Sequence, residues 1–290
     1  MFSLVLYITV PVFGVAAVGY LFGRLSNINM EAINNINMNL FVPMLLFYLL
    51  TEKLPHLADI GLIAAATAIV VLGSGLIAWP IAHLLKIPGR AMVPSIMFNN
   101  SGNLGLPLAA LAFGEELLPL AVLAWVVSAW LNHSVGIWYM SGKLHPLEML
   151  KNPAFAAAAI GLAFNFMDIH TPEILLPGLE MLSKVAIPLL LISLGVRLTS
   201  IDTSHWKLGV FAAILKPVVG ISMAWIAILL LGLSDAEAKV MLLFGALPPA
   251  VVNFLFAERY NRYPHHAASV VAIGNLMALI SIPLVLGFIL

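Results

Sequence analysis

Long apolar runs, broken by charges, prolines and glycines, divide the chain into ten stretches of a length to cross a bilayer as helices. They cover Phe2–Phe22, Ala32–Leu50, Ile60–Leu85, Ala91–Phe113 and Pro119–Met140, then Pro153–Met167, Leu175–Val196, Trp206–Leu231, Val240–Ala257 and Ala267–Leu290. Span 2 opens on a polar run (Asn34, Asn35, Asn37, Asn39) and span 7 carries Glu180 and Lys184, yet each ends in a long apolar run after a proline. The pattern predicts an all-α integral membrane protein with ten transmembrane helices.

The distribution of basic residues orients these spans. Loops after odd-numbered spans hold Arg24, Lys86, Arg90, Lys143, Lys151, Arg197, Lys207, Arg259 and Arg262, whereas loops after even-numbered spans hold only Lys53 and Lys239. Basic loops stay on the cytoplasmic side, so both termini are expected to face away from the cytoplasm, in an inner (plasma) membrane. An odd number of spans per half makes spans 6–10 an inverted copy of spans 1–5, with halves at residues 1–145 and 146–290. Asn39-Leu40-Phe41-Val42-Pro43-Met44-Leu45-Leu46 echoes Lys184-Val185-Ala186-Ile187-Pro188-Leu189-Leu190-Leu191. Laying Phe98 on Phe244 without gaps brings the interruptions of spans 4 and 9 into register.

Those interruptions organise the chain. In span 4 the run Phe98-Asn99-Asn100-Ser101-Gly102-Asn103-Leu104-Gly105-Leu106-Pro107-Leu108 places three amides and a hydroxyl within five positions. In span 9 the run is Gly245-Ala246-Leu247-Pro248-Pro249-Ala250-Val251-Val252-Asn253. Unpaired backbone groups cost several kcal/mol each in hydrocarbon, so a broken helix is tolerated only against protein or a watery cavity. Paired breaks in inverted halves are a transporter signature. If the breaks cross, two helix amino ends meet there, each with free N–H groups and about half a positive charge, which suits a carboxylate. Asn99, Asn100, Ser101 and Asn103 add donors and acceptors, while Pro107, Pro248 and Pro249 keep carbonyls from pairing within the helix. The alternative role for these polar groups is to satisfy broken backbone and hold helices together.

Other polar residues inside spans offer further chemistry. Lys216 lies about ten residues into span 8, some 15 Å deep at helical rise, immediately before Pro217. It is either a functional cation or a side chain that snorkels to the interface or pairs with a freed carbonyl. Lys184 stands near Glu180 at a span end. His133, beside Asn132 and Ser134, could carry a proton or simply pack. Asn275 reads as helix glue, and His265-His266 lack the company of further metal ligands. All thirteen acids, Asp59, Glu148 and Asp202 among them, map to loops or span ends, so a cation/proton antiporter or an intramembrane protease is disfavoured.

Composition agrees: 62% of the 290 residues are hydrophobic, 9% are charged and the formal net charge is zero. Nothing points to nucleic acid or to a cofactor, and without cysteine there is no disulfide framework or thiolate metal site. The opening Met1-Phe2-Ser3-Leu4 lacks a positive flank, so a cleaved signal peptide is not expected.

Ala246-Leu247-Pro248-Pro249-Ala250-Val251-Val252-Asn253-Phe254-Leu255-Phe256-Ala257-Glu258-Arg259-Tyr260-Asn261 closely resembles the auxin efflux carrier family. So does Asn100-Ser101 followed by Leu104-Gly105-Leu106-Pro107-Leu108, and the chain looks like a short prokaryotic member. The resemblance spans all ten helices. It implies the bile-acid/arsenite/riboflavin-transporter-like fold, in which a scaffold of spans 1, 2, 6 and 7 holds a unit of spans 3–5 and 8–10 that moves like an elevator, commonly within a homodimer. It also implies small organic anions, such as auxin or malonate, as substrates. Asn100 and Pro248-Pro249 match the family's crossover, and Val42-Pro43 match scaffold residues facing the substrate. Asn253 stands where the family often has proline. The resulting expectation is a secondary transporter of small carboxylates, with sodium-coupled symport as the alternative and a channel further behind.

Overall fold

The computed structural model describes residues 2–26, 29–54, 57–143, 152–199 and 203–290, with the side chains of residues 57–59 outside the description. The expected junction between halves at residue 145 therefore lies outside the described residues, as do Glu148, Lys151, Asp202 and the side chain of Asp59.

The described residues form eleven helices and no strand. They are α1 (Phe2–Leu25), α2 (Glu31–Lys53), α3 (Leu57–Leu84), α4 (Gly89–Met97), α5 (Ser101–Ser141), α6 (Pro153–Phe166), α7 (Leu176–Leu198), α8 (Trp206–Leu231), α9 (Asp235–Ala246), α10 (Val251–Arg259) and α11 (Pro264–Ile289). Seven are long and apolar enough to cross a membrane, and α6 is a shorter apolar helix. The number differs from ten for local reasons. Spans 4 and 9 are broken into short pieces, and α5 consists of two helical arms that meet at a kink at Gly114 (φ 69, ψ −168), the first arm being the end of span 4 and the second span 5. Large apolar side chains such as Leu21, Leu76, Leu229 and Leu284 face outward, as lipid contact requires.

Local chemistry fixes several boundaries. A capping box opens α9: the Ser234 backbone N–H donates to Glu237 Oε2 at 2.7 Å, and the Glu237 N–H returns to Ser234 Oγ. Asn152 caps α6 by accepting from the Ala154 N–H at 3.0 Å, with Pro153 in its first turn. Five-residue π turns at Asn37–Phe41 and Leu49–Lys53 flank the regular middle of α2.

Two packing groups result. α1, α2, α6 and α7 pack mainly on one another, while α3, α4, α8, α9, α10 and α11 pack together, with α5 reaching both. Small residues set the closest approaches, as is usual where lipid removes a hydrophobic drive between helices. A Cβ on Gly195 of α7 would overlap the Ala16 carbonyl of α1, and one on Gly220 of α8 would overlap the Gly245 carbonyl of α9.

Candidate functional site

Between α4 and α5 the chain turns extended at Phe98 (φ −101, ψ 121), and helix resumes at Ser101. Between α9 and α10 it is extended at Leu247 (φ −60, ψ 145) and Ala250 (φ −65, ψ 138). The two segments lie antiparallel, with Asn99 opposite Pro249. The Asn100 N–H donates to the Pro248 carbonyl at 2.7 Å, and the Ala250 N–H donates to the Phe98 carbonyl at 3.0 Å. Each break thus satisfies backbone that the other exposes.

Side-chain amides complete the pairing. Asn99 Nδ2 donates to the Phe244 carbonyl at 2.6 Å, and Asn253 Nδ2 donates to the Phe98 carbonyl at 3.1 Å. Asn275 of α11 accepts from Asn100 Nδ2 at 2.8 Å and donates to the carbonyls of Pro249 and Val271 at 3.0 and 2.8 Å. The prolines make room for this. In a continuing helix the N–H of residue 248 would take the Phe244 carbonyl, but Pro248 has none, which frees that oxygen for Asn99. Gly274 presents no Cβ, so the Pro249 ring can lie against α11.

What remains open includes both donors and acceptors. The first N–H groups of α5 and α10 have no carbonyl behind them in their own helices. Asn99, Asn100, Ser101, Gly102 and Asn103 on one side and Ala250, Val251 and Val252 on the other line a cavity of about 210 Å³. Met38 and Leu46 of α2, Phe155 of α6, Leu190 of α7 and Trp125 of α5 close its far wall, so it lies between the two packing groups. From the crossing it runs toward Asn132, His133 and Asn152, at the end predicted to be cytoplasmic. The buried Oδ1 atoms of Asn99 and Asn132 have no hydrogen-bond partner.

The structure places the predicted residues as follows. Asn99, Asn100, Ser101, Asn103 and His133 are on the cavity wall, whereas Pro107, Pro248, Pro249 and Asn253 are buried around the crossing without lining it. Val42 and Pro43 are buried inside α2, and Asn39 is exposed with its amide on Asn35; Met38 and Leu46 stand at the cavity instead. His133 is held by packing: Nδ1 meets the Ala129 carbonyl at 2.8 Å, and Phe155 and Phe256 abut the ring edge-on. Lys184 pairs with Glu180 at 2.5 Å on an exposed surface, away from the cavity.

Lys216 corrects one reading. It does not snorkel: it is 0% exposed, and its Nζ has no hydrogen-bond partner. It lies one turn before Gly220, the residue touching Gly245, and so stands behind the interruption of α9 without lining the cavity. Sequence reasoning missed Trp125, Ser128, Asn132 and Phe155 as wall residues. Asn132 carried a signal, being an amide inside an apolar span; the others share the alphabet of lipid-facing residues. Among the described residues no three potential metal ligands cluster.

Apolar helices that break and meet beside a cavity carrying amides among apolar walls fit a multi-pass membrane transport protein rather than an enzyme. The sequence profile of the family described as "Membrane transport protein" matches residues 4–146 and 137–286, and the chain belongs to that family, which includes the auxin efflux carriers. An uncharacterized transporter of Methanocaldococcus jannaschii is 25% identical over 289 residues, covering 92% of this chain and 93% of that protein. Auxin efflux carrier component 1 of Arabidopsis thaliana is 26% identical over 139 residues, 46% of this chain and 22% of the plant protein. Component 8 of the same plant is 28% identical over 139 residues and is covered to 38%.

Proposed function

We propose that the protein is a secondary transporter that binds small organic anions, chiefly carboxylates, at the crossing and moves them by alternating access. One observation carries this reading. The Phe98 and Pro248 carbonyls are already bonded across the crossing, while the amino ends of α5 and α10 open on the cavity. Helix amino ends attract negative charge, and the side chains of Ser101 and Asn103 stand beside them on the cavity wall. Sodium would need oxygen ligands there. The carbonyls of Phe98, Asn100, Pro248 and Pro249 already accept hydrogen bonds, but the open Oδ1 atoms of Asn99 and Asn132 keep sodium-coupled symport as the second reading. A channel needs a continuous path and selectivity rings, and the sequence holds no ring-forming motif.

The cavity is smaller than the roughly 300–1,000 Å³ of drug-sized pockets, which favours a small acid. The unpartnered Oδ1 atoms of Asn99 and Asn132 suit a substrate that also carries an O–H or N–H donor. Auxin-like acids are the first to try, given the names of the plant relatives, with malonate-like acids next. In this reading α4 with the first arm of α5 makes span 4, the second arm makes span 5, and α9 with α10 makes span 9. Ten spans then form two inverted halves, both termini away from the cytoplasm of an inner (plasma) membrane. α1, α2, α6 and α7 would be the scaffold, and α3–α5 with α8–α11 the elevator, within a homodimer.

A ligand that binds only the folded state raises its thermal stability. Screening small mono- and dicarboxylates against the purified protein is expected to yield an acid that raises Tm for the wild type but not for Asn100→Ala. An equal shift in both would refute the site. Transport in liposomes is expected to persist when choline replaces sodium; its loss would favour the sodium-coupled alternative.

A further inference from the structure

A second cavity, sharing no residue with the first, opens at the end of the molecule predicted to be cytoplasmic. Lys86 and Pro88 of the turn after α3, Ser204, His205 and Lys207 at the start of α8, and His266 of α11 line about 390 Å³. A left-handed turn at Lys86 (φ 55) reverses the chain there. His205 occupies the N-cap position of α8, but its side chain makes no capping bond, so the first N–H groups of a 26-residue helix add positive potential.

The corner is firmly built. The His205 N–H donates to Ser269 Oγ of α11 at 3.1 Å, and Gly209 lies against the Ser269 carbonyl. The imidazoles of His205 and His266 stack at 3.6 Å with an interplanar angle of 19°, and Tyr263 meets His266 edge-on. Every charged or titratable side chain lining the cavity is a lysine or a histidine, and neither lysine is in an ion pair among the described residues. Leading away from Trp206 of the cavity wall is an apolar track: Trp206, Val210, Ile214 and Val218 are exposed at four-residue spacing along α8.

A basic cavity at the rim with an apolar track beneath it has the shape of a phospholipid. We propose that this cavity binds the phosphate of an anionic phospholipid headgroup from the cytoplasmic leaflet, with an acyl chain lying along Trp206, Val210, Ile214 and Val218. The phosphate oxyanion takes the lysines and the amino end of α8, and the chain covers surface that is otherwise open to any lipid.

A free phosphate offers the same oxyanion without the chain, so the test separates the two. The full chain in neutral detergent is titrated with dioleoylphosphatidylglycerol, dioleoylphosphatidylcholine or inorganic phosphate, reading bound lipid by native mass spectrometry and Tm by thermal unfolding. Phosphatidylglycerol is expected to bind about tenfold better than phosphatidylcholine and to raise Tm, with inorganic phosphate giving no shift. Lys86→Ala with Lys207→Ala should bring the lipid preference close to one, while Lys86→Arg with Lys207→Arg and the distant Arg24→Ala should keep it. If the alanine pair does not fold, Lys207→Gln alone reads the same preference. Equal binding of both lipids, a matching shift from inorganic phosphate, or a preference that survives the alanine pair would overturn the assignment. So would an alanine pair that changes oligomeric state while keeping its lipid preference, since the face would then be an interface between copies.

Discussion

The two interruptions solve one problem by opposite means. The break before α5 is rich in amides, and Asn99 and Asn100 reach out to carbonyls and an amide on α9 and α11. The break before α10 is rich in proline: Pro248 and Pro249 remove two N–H groups that would otherwise need acceptors, and lend their carbonyls to Asn100 and Asn275. One break adds partners and the other deletes the need for them. The difference also divides the work, since amide side chains of the first line the cavity while the prolines of the second are buried as its frame.

Asn275→Leu should break this arrangement most severely. It strands the Asn100 amide and the Pro249 carbonyl, at about 1–3 kcal/mol for each unsatisfied buried group. A large fall in Tm together with loss of substrate response is expected; a Tm close to wild type would show that the clasp does not hold the breaks together. Pro249→Ala should come next. Asn99 and Pro249 form the non-hydrogen-bonded pair of the bridge, so the restored N–H points away from the partner strand and is left buried without that strand's acceptors, at about 1–3 kcal/mol. Unfolding measurements that show no loss would mean that proline here is not needed to remove a donor. Asn253→Leu should do least and sharpens the comparison, because the Phe98 carbonyl keeps the Ala250 N–H and the variant also removes an unpartnered Oδ1. A loss of about 1 kcal/mol with substrate response intact is expected from denaturant or thermal unfolding.

Much of this was legible in advance because polar groups stand out against lipid-compatible sequence. Span 8 matches α8 from Trp206 to Leu231, and both interruptions fall where amides, glycines and prolines replace apolar runs. That Asn100 and Pro248 touch follows from aligning the halves. Which amide bonds which carbonyl could not be read, because partners such as Asn100 and Asn275 are 175 positions apart and their pairing depends on tertiary packing. The cavity wall was hidden for another reason: Met38, Leu46 and Phe155 have the same chemistry whether they face substrate or lipid. Gly114 stands where the boundary between spans 4 and 5 was expected, and there the backbone leaves helical geometry (φ 69, ψ −168), so two helices meet at a kink.

The ladder between Asn100 and Pro248 has a mechanical corollary. Parting the strands would orphan several buried groups together, at a combined penalty that rivals the whole stability of many folded domains. The breaks are therefore welded rather than hinged. In the proposed transport cycle both interruptions would then move as one block, and sliding would fall to the apolar seam with Leu46, Phe155 and Leu190.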